Sequence, residues 1–233
     1  MKQLLTWLYL LRKTFLTAAS RRHYSQYGED VVLRDWFYDH PPGVFVDVGC
    51  YHPRKFSNTY WLYKRGWRGV NVDIDPLKIQ AFRLARSHDI NILAGVGDQE
   101  TTATVYRFGK YGLGTTIDPD LAAATKEPLR EKQTVQVRTL ESILTETPWK
   151  DAPIDLLSID VEGMDLAVLR GFDLARHHPK LIMIELHADT IGDVLESDLH
   201  RYLSKHNYVL CNWVGLTLFY RRSDVCLKEL PRR

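Results

Sequence analysis

The sequence predicts an α/β protein with a doubly wound mixed sheet. Short apolar runs alternate with helix-like segments, which is the pattern of parallel strands joined by crossovers. Those runs end in acids and glycines that would gather on one rim, and the last pair reads as an antiparallel finish.

Taken in order, "GVFVDVG" (43–49) is the first strand, "GVNVDID" (69–75) the second, "INILAGV" (90–96) the third, "IDLLSIDVEG" (154–163) the fourth and "KLIMIELH" (180–187) the fifth. Between them, "RKFSNTYWLYKRG" (54–66) and "PLKIQAFRLARSH" (76–88) have the length and apolar spacing of helices. "DLAVLRGFDLARHHP" (165–179) closes at Pro179 before the fifth strand, so His177 and His178 are expected at the exposed end of a helix. The crossovers are expected to be right-handed. Residues 101–138 break the rhythm: "TATVYRF" and "QTVQVR" read as strands around a glycine-rich middle, an antiparallel insertion over one edge of the site. "NYVLCNWVGLTLFYRR" (207–222) reads as two strands turning at Gly215.

At 233 residues and 45% hydrophobic content, the chain has the size of one domain with a large core, taken as residues 24–233. Residues 1–23 form an extension in which Leu4, Leu8, Leu11 and Phe15 recur at helical spacing. Its apolar run is too short to span a bilayer and suits an amphipathic helix packed on the body, on a second subunit in a dimer, or against a membrane surface. Lys+Arg 31 against Asp+Glu 29 leaves a formal charge of +2, which argues against a charge-driven nucleic-acid binder. Cys50, Cys211 and Cys226 are an odd count with no metal-ligand spacing, which fits free thiols in a reducing compartment, the cytoplasm by default.

Ligands of open α/β sheets bind beyond the carboxyl ends of the strands. There this sequence places Asp47 and Gly49, Asp73 and Asp75, Asp98, Asp160 and Glu162, and Glu185 and His187. Gly49 lets backbone approach a ligand, and Asp73, with Asp75 second, is placed to accept hydrogen bonds from a ribose diol. Capping of the following helices is the competing use for any one of these acids. The chain has neither GxGxxG nor GxxxxGK[ST], so a ligand with a ribose and no phosphate fits, and S-adenosylmethionine is the common one.

The segments "YSQYGEDVVL", "FVDVGCYHPRKFSNTYWLYKRGWRGVNVDIDP" and "LLSIDVEGMDLAVLRGFD" together resemble the FkbM family of S-adenosylmethionine-dependent methyltransferases, in the branch associated with bacterial glycan synthesis. The resemblance runs from about Tyr24 to His187 and implies a class I methyltransferase (Rossmann-like) fold and O-methylation of a sugar hydroxyl on a saccharide or glycan precursor. It implies Gln26, with Glu29 and Asp30, near the cofactor pocket, Asp47 and Gly49 in the cofactor turn, Asp73 on the ribose and Asp98 by the adenine. Two positions depart from the family pattern: Cys50 stands where a small residue such as Ala is usual, and Ser158 where many members have Lys.

Methyl transfer to oxygen needs an aligned acceptor that loses a proton. Asp160 and Glu185, at adjacent strand tips, form a hard-oxygen pair for Mg2+, and Asp160 also borders the cofactor. His187, two residues past Glu185 and so on the same side of an extended strand, is the first candidate base. His52 reads either as a base and substrate contact or as a turn residue before Pro53. Glu162, and Tyr111 in the 106–116 loop with Gly109, Gly112 and Gly114, are the other substrate contacts, the loop serving as a lid. The alternatives are a methyltransferase of a lipid or small metabolite, and a noncatalytic scaffold. A dinucleotide-dependent oxidoreductase would need the phosphate turn this chain lacks.

Overall fold

The computed structural model describes residues 23–108, 114–116 and 119–225. The amphipathic stretch at 1–22, Tyr111 with Gly109 and Gly112, and Cys226 lie outside the described residues.

The chain begins with α1 (Glu29–Phe37), β1 (Val44–Val48), α2 (Tyr60–Lys64), β2 (Arg68–Asp73), α3 (Pro76–Ala85) and β3 (Ile90–Leu93). There follow β4 (Gly95–Gly97), β5 (Thr101–Phe108), β6 (Gly114–Thr116), α4 (Pro119–Ala124), β7 (Leu129–Thr139) and α5 (Leu140–Thr145). The last third holds β8 (Leu156–Ile159), α6 (Asp165–Arg170), α7 (Leu174–His177), β9 (Leu181–Glu185), α8 (Ile191–Glu196), α9 (Asp198–Lys205), β10 (Tyr208–Val214) and β11 (Thr217–Arg222).

Seven strands make the main sheet in the order β10-β11-β9-β8-β1-β2-β3. The five from β9 to β3 are parallel, while β11 runs antiparallel to both of its neighbours. Strand order reverses between β1 and β8, which opens a crevice at their carboxyl ends. Register decides what stands there. Val48 aligns with Val72 and with Ile159, and Ile159 aligns with Ile184. One residue further along each strand, Gly49, Asp73, Asp160 and Glu185 therefore form a row along the rim.

Alternation with period two sends the strand side chains to opposite faces. Val46, Val48, Val70, Val72, Leu157, Ile159, Ile182 and Ile184 pack with Leu140, Ile143, Val168, Leu169, Leu199 and Leu203 from α5, α6 and α9. Phe45, Leu156, Leu181 and Met183 face the other way, against Leu33, Phe37, Leu62 and Trp67. Each such side chain, sealed from water, contributes about 1.5–3 kcal/mol, so the two layers fix the rim firmly.

Three sequence expectations are corrected. The third strand splits at Ala94, whose N–H bonds the Asp73 carbonyl at 3.2 Å, and β4 leaves to pair with β7 in a second sheet of order β4-β7-β5-β6. The segment 54–66 forms a helix only at Tyr60–Lys64, because the preceding residues are spent on a loop that folds back to the sheet. Residues 165–179 divide into α6 and α7, and His177 is 1% exposed. Its Nε2 lies 3.0 Å from Glu141 Oε2 and its ring stacks on Phe172, so it is a core histidine.

Candidate active site

A cavity of about 420 Å³ lies over the carboxyl ends of β1, β2 and β8, within the ~300–1,000 Å³ of small-molecule sites. Its walls include apolar Val72, Ile74, Ala94, Val96 and Met164, with acids Asp47, Asp73, Asp160 and Glu162.

Gly49 takes φ +79° and lies against the Asp160 backbone, where an added Cβ would overlap the Asp160 carbonyl. The turn after β1 therefore needs glycine on two counts, conformation and space. Gly49→Ala is expected to cost ~3 kcal/mol or more, read as a lowered urea midpoint in equilibrium unfolding.

Asp73 is buried at the end of β2. Its Oδ2 accepts from Tyr51 N–H at 3.1 Å and its Oδ1 from Asp75 N–H at 2.8 Å, and Lys78 Nζ lies 3.5 Å from Oδ2. Each oxygen keeps lone-pair capacity facing the cavity. Asp75 is the N-cap of α3 and accepts from Leu77 and Lys78 N–H. Asp47, also buried, accepts from the Thr59 hydroxyl at 2.7 Å. Burial raises its pKa, against the pull of that hydrogen bond and of Arg86.

Asp160 opens onto the cavity while protein walls its other sides. Burial, followed by the charge of Glu185, holds its carboxyl well above the ordinary value. Glu162, in the left-handed region at φ 54°, has its pKa raised by burial first and Glu185 second. The ligand atoms of Glu162, Glu185 and His187 lie within 4.8 Å of one another, and His187 Nε2 is 3.6 Å from Glu185 Oε1. Glu185 Oε2 is sealed from water without a hydrogen-bond partner. From the second sheet, the Thr116 hydroxyl donates to the Glu162 carbonyl at 3.2 Å, bringing β6 over the rim.

Asp165 starts α6 and accepts from Val161 and Gly163 N–H, which fixes the turn carrying Glu162. Burial pushes it up to about 7 from an ordinary 3.8. Between those two values the folded chain keeps a proton that the unfolded chain has released. Stability therefore falls as pH rises through this window, by at most about 1.4 kcal/mol per pH unit for the one group. Melting temperature is expected to drop between pH 5 and 8, and Asp165→Asn to flatten that slope.

The structure thus brings Gln26, Asp47, Gly49, Asp73, Asp160 and Glu162 to one cavity. Glu185 sits just behind Asp160, and His187 lines a separate depression beside it. Asp98 is exposed in the turn after β4 and does not line the cavity, because the split at Ala94 leaves only Gly95 and Val96 there. His52 does not line it either: its Nδ1 accepts from Arg54 and Lys55 N–H at 3.1 and 3.0 Å, which shapes the turn. Glu29 and Asp30 are buried in their own segment, accepting from Tyr27 N–H and from Ser25 respectively.

Several lining residues went unnoticed in the sequence. Lys78, Phe56 and Asn58 border the cavity, and Asn58 Nδ2 reaches Ser158 Oγ at 3.4 Å. Tyr51 (φ 52°) and Phe56 (φ 53°) both adopt left-handed backbone in this loop, at a cost of about 1–3 kcal/mol each.

Residues 47–210 match the Methyltransferase FkbM domain, so the match spans most of the chain and contains the end of β1 and all of β2, β8 and β9 with their tips. The chain belongs to the FkbM methyltransferase family. Membership makes it an S-adenosylmethionine-dependent methyltransferase, and its own sheet, parallel from β9 to β3 with β11 antiparallel beside them, is Rossmann-like. Among solved structures it is similar to a TehB-like SAM-dependent methyltransferase from Corynebacterium glutamicum, at 14% identity and TM-score 0.44, covering 94% of this chain and 99% of that one. A methyltransferase from Geobacter sulfurreducens is similar at 13% identity and TM-score 0.43, covering 95% and 89%. No curated protein matches the chain. Among the described residues, no helix is long and apolar enough to cross a membrane.

Proposed function

We propose that this FkbM methyltransferase O-methylates a sugar hydroxyl of a saccharide or glycan precursor, with S-adenosylmethionine in the cavity over β1, β2 and β8. The observation that carries the reading is the group beside the cavity, where the ligand atoms of Glu162, Glu185 and His187 lie within 4.8 Å of one another and Asp160 lines the same pocket as Glu162. The sugar class rests on the family resemblance.

The residues fit the cofactor. Asp73 offers acceptor capacity to a ribose diol, Val72, Ala94 and Val96 give an apolar slot for a base, and Asp47 with Gly49 shapes the turn. When bound, S-adenosylmethionine supplies a methyl carbon on a sulfonium, open to in-line displacement. The residues also fit a divalent cation, since the orphaned Glu185 Oε2 and the crowded Asp160 carboxyl both gain from a positive charge. Asp160 and Glu185 would hold it, with Glu162 and His187 in reach, and its chemistry there is to lower the pKa of a bound oxygen.

The chain's own part is to orient the acceptor oxygen and take its proton. His187, exposed and 3.6 Å from Glu185, is placed to receive that proton while Glu185 orients the ring. Glu162 would hold the sugar, and Tyr111 is the sequence's further candidate for that contact. His187, or solvent, would take the proton that the acceptor hydroxyl loses on methylation.

The test is transfer of labelled methyl from S-adenosylmethionine to a panel of neutral and acidic sugars, lipids and small alcohols, with Mg2+ and with chelator. Labelling confined to sugars supports the reading, and labelling of lipid or metabolite alone sinks it.

A further inference from the structure

We propose that Arg86 is the positioning residue of the cofactor turn, acting through Thr59 on Asp47 and through Pro53 and Ser57 on the loop that walls the cavity. The inference rests on the reading that this cavity takes S-adenosylmethionine.

Arg86 follows the last turn of α3 and is 0% exposed. A buried guanidinium is tolerated only where its donors are matched, so where they go is informative. Nε donates to the Pro53 carbonyl at 2.9 Å, Nη1 to Thr59 Oγ1 at 2.8 Å and Nη2 to Ser57 Oγ at 2.6 Å. All three bonds land on one stretch of loop and none on the sheet. Asp89, 3.8 Å from Nη1, supplies counter-charge, and the rings of Phe82, Tyr60 and Tyr63 pack around the guanidinium.

That loop brings Tyr51, Phe56 and Asn58 to the cavity, and it holds two non-glycine residues in left-handed backbone. Strained backbone persists where its surroundings over-determine it, and Arg86 is the group that ties both ends of this stretch to α3. The Thr59 hydroxyl accepts from Arg86 and donates to Asp47 Oδ2 at 2.7 Å, so a continuous chain of hydrogen bonds runs from the buried cation to a carboxylate lining the cavity. A lysine would keep the charge and lose the planar fork that serves three acceptors at once.

The experiment titrates S-adenosylhomocysteine by calorimetry into the full-length wild type, Arg86→Lys, Thr59→Val and the remote core control Ile143→Val. Melting temperature and amide hydrogen exchange over residues 51–56 are read in parallel. Affinity is expected to weaken about tenfold or more in Arg86→Lys and Thr59→Val, with faster exchange in the loop. Ile143→Val, although destabilised, is expected to bind as the wild type does. Wild-type affinity in both loop variants, with only a lowered melting temperature, would overturn the proposal and leave Arg86 a plain core residue. Should Arg86→Lys fail to fold, Thr59→Val keeps the buried cation in place and decides by the same criterion. A wild type that takes up no S-adenosylhomocysteine refutes the reading of the cavity itself, and the inference falls with it.

Discussion

Glu185→Gln is expected to lower methyl transfer by about 10²–10⁴-fold while leaving S-adenosylhomocysteine affinity unchanged. Glu185 does not border the cavity, so the cofactor should not sense the change. It is, however, the residue that links Asp160 to His187: its charge helps raise the Asp160 carboxyl, and its Oε1 lies 3.6 Å from the imidazole. The amide cannot orient a protonated histidine or bind a hard cation with comparable strength. Its arrival also removes the like charge, so the Asp160 carboxyl should titrate closer to its ordinary range. Steady-state rates with a sugar acceptor, set beside calorimetry, separate the two effects. An unchanged rate would remove the carboxylate pair from the mechanism.

Asp73→Ala is expected to weaken S-adenosylhomocysteine binding about 100-fold, because two charge-assisted hydrogen bonds to a ribose diol would be lost, each worth about 1.5–3 kcal/mol, with part of that loss offset by relaxation. The same carboxylate accepts from Tyr51 and Asp75 N–H, so alanine also loosens the turn. Asp73→Asn keeps acceptor capacity and should fall between wild type and alanine. Equal affinity in all three proteins would place the ribose elsewhere.

Much of the fold was legible because register and burial act through patterns that sequence carries. The five apolar runs were near-continuous, as strands covered on both faces must be, and their shared acidic endings located the rim. The helix expected at 54–66 failed because apolar spacing is blind to what a loop is tied to: its bonds reach Arg86, twenty or more residues away. Asp98 lost its place for a related reason, since the break at Ala94 hands β4 to the second sheet. His177 was misjudged because proximity to Pro179 marks a helix end without saying which way the ring turns, and Glu141 that holds it comes from α5. Asp75 and Asp165 show two uses of an acid at a helix start, one as a plain cap and the other fixing the turn that presents Glu162.

The central claim is that the cavity over β1, β2 and β8 binds S-adenosylmethionine beside a carboxylate pair able to hold a divalent cation. Its most direct test is calorimetric titration of S-adenosylhomocysteine, and separately of Mg2+, into the wild type and into a double variant carrying Asp160→Ala and Glu185→Ala. The account predicts S-adenosylhomocysteine binding by both proteins and Mg2+ heat in the wild type alone. Absence of S-adenosylhomocysteine binding to the folded wild type would contradict it.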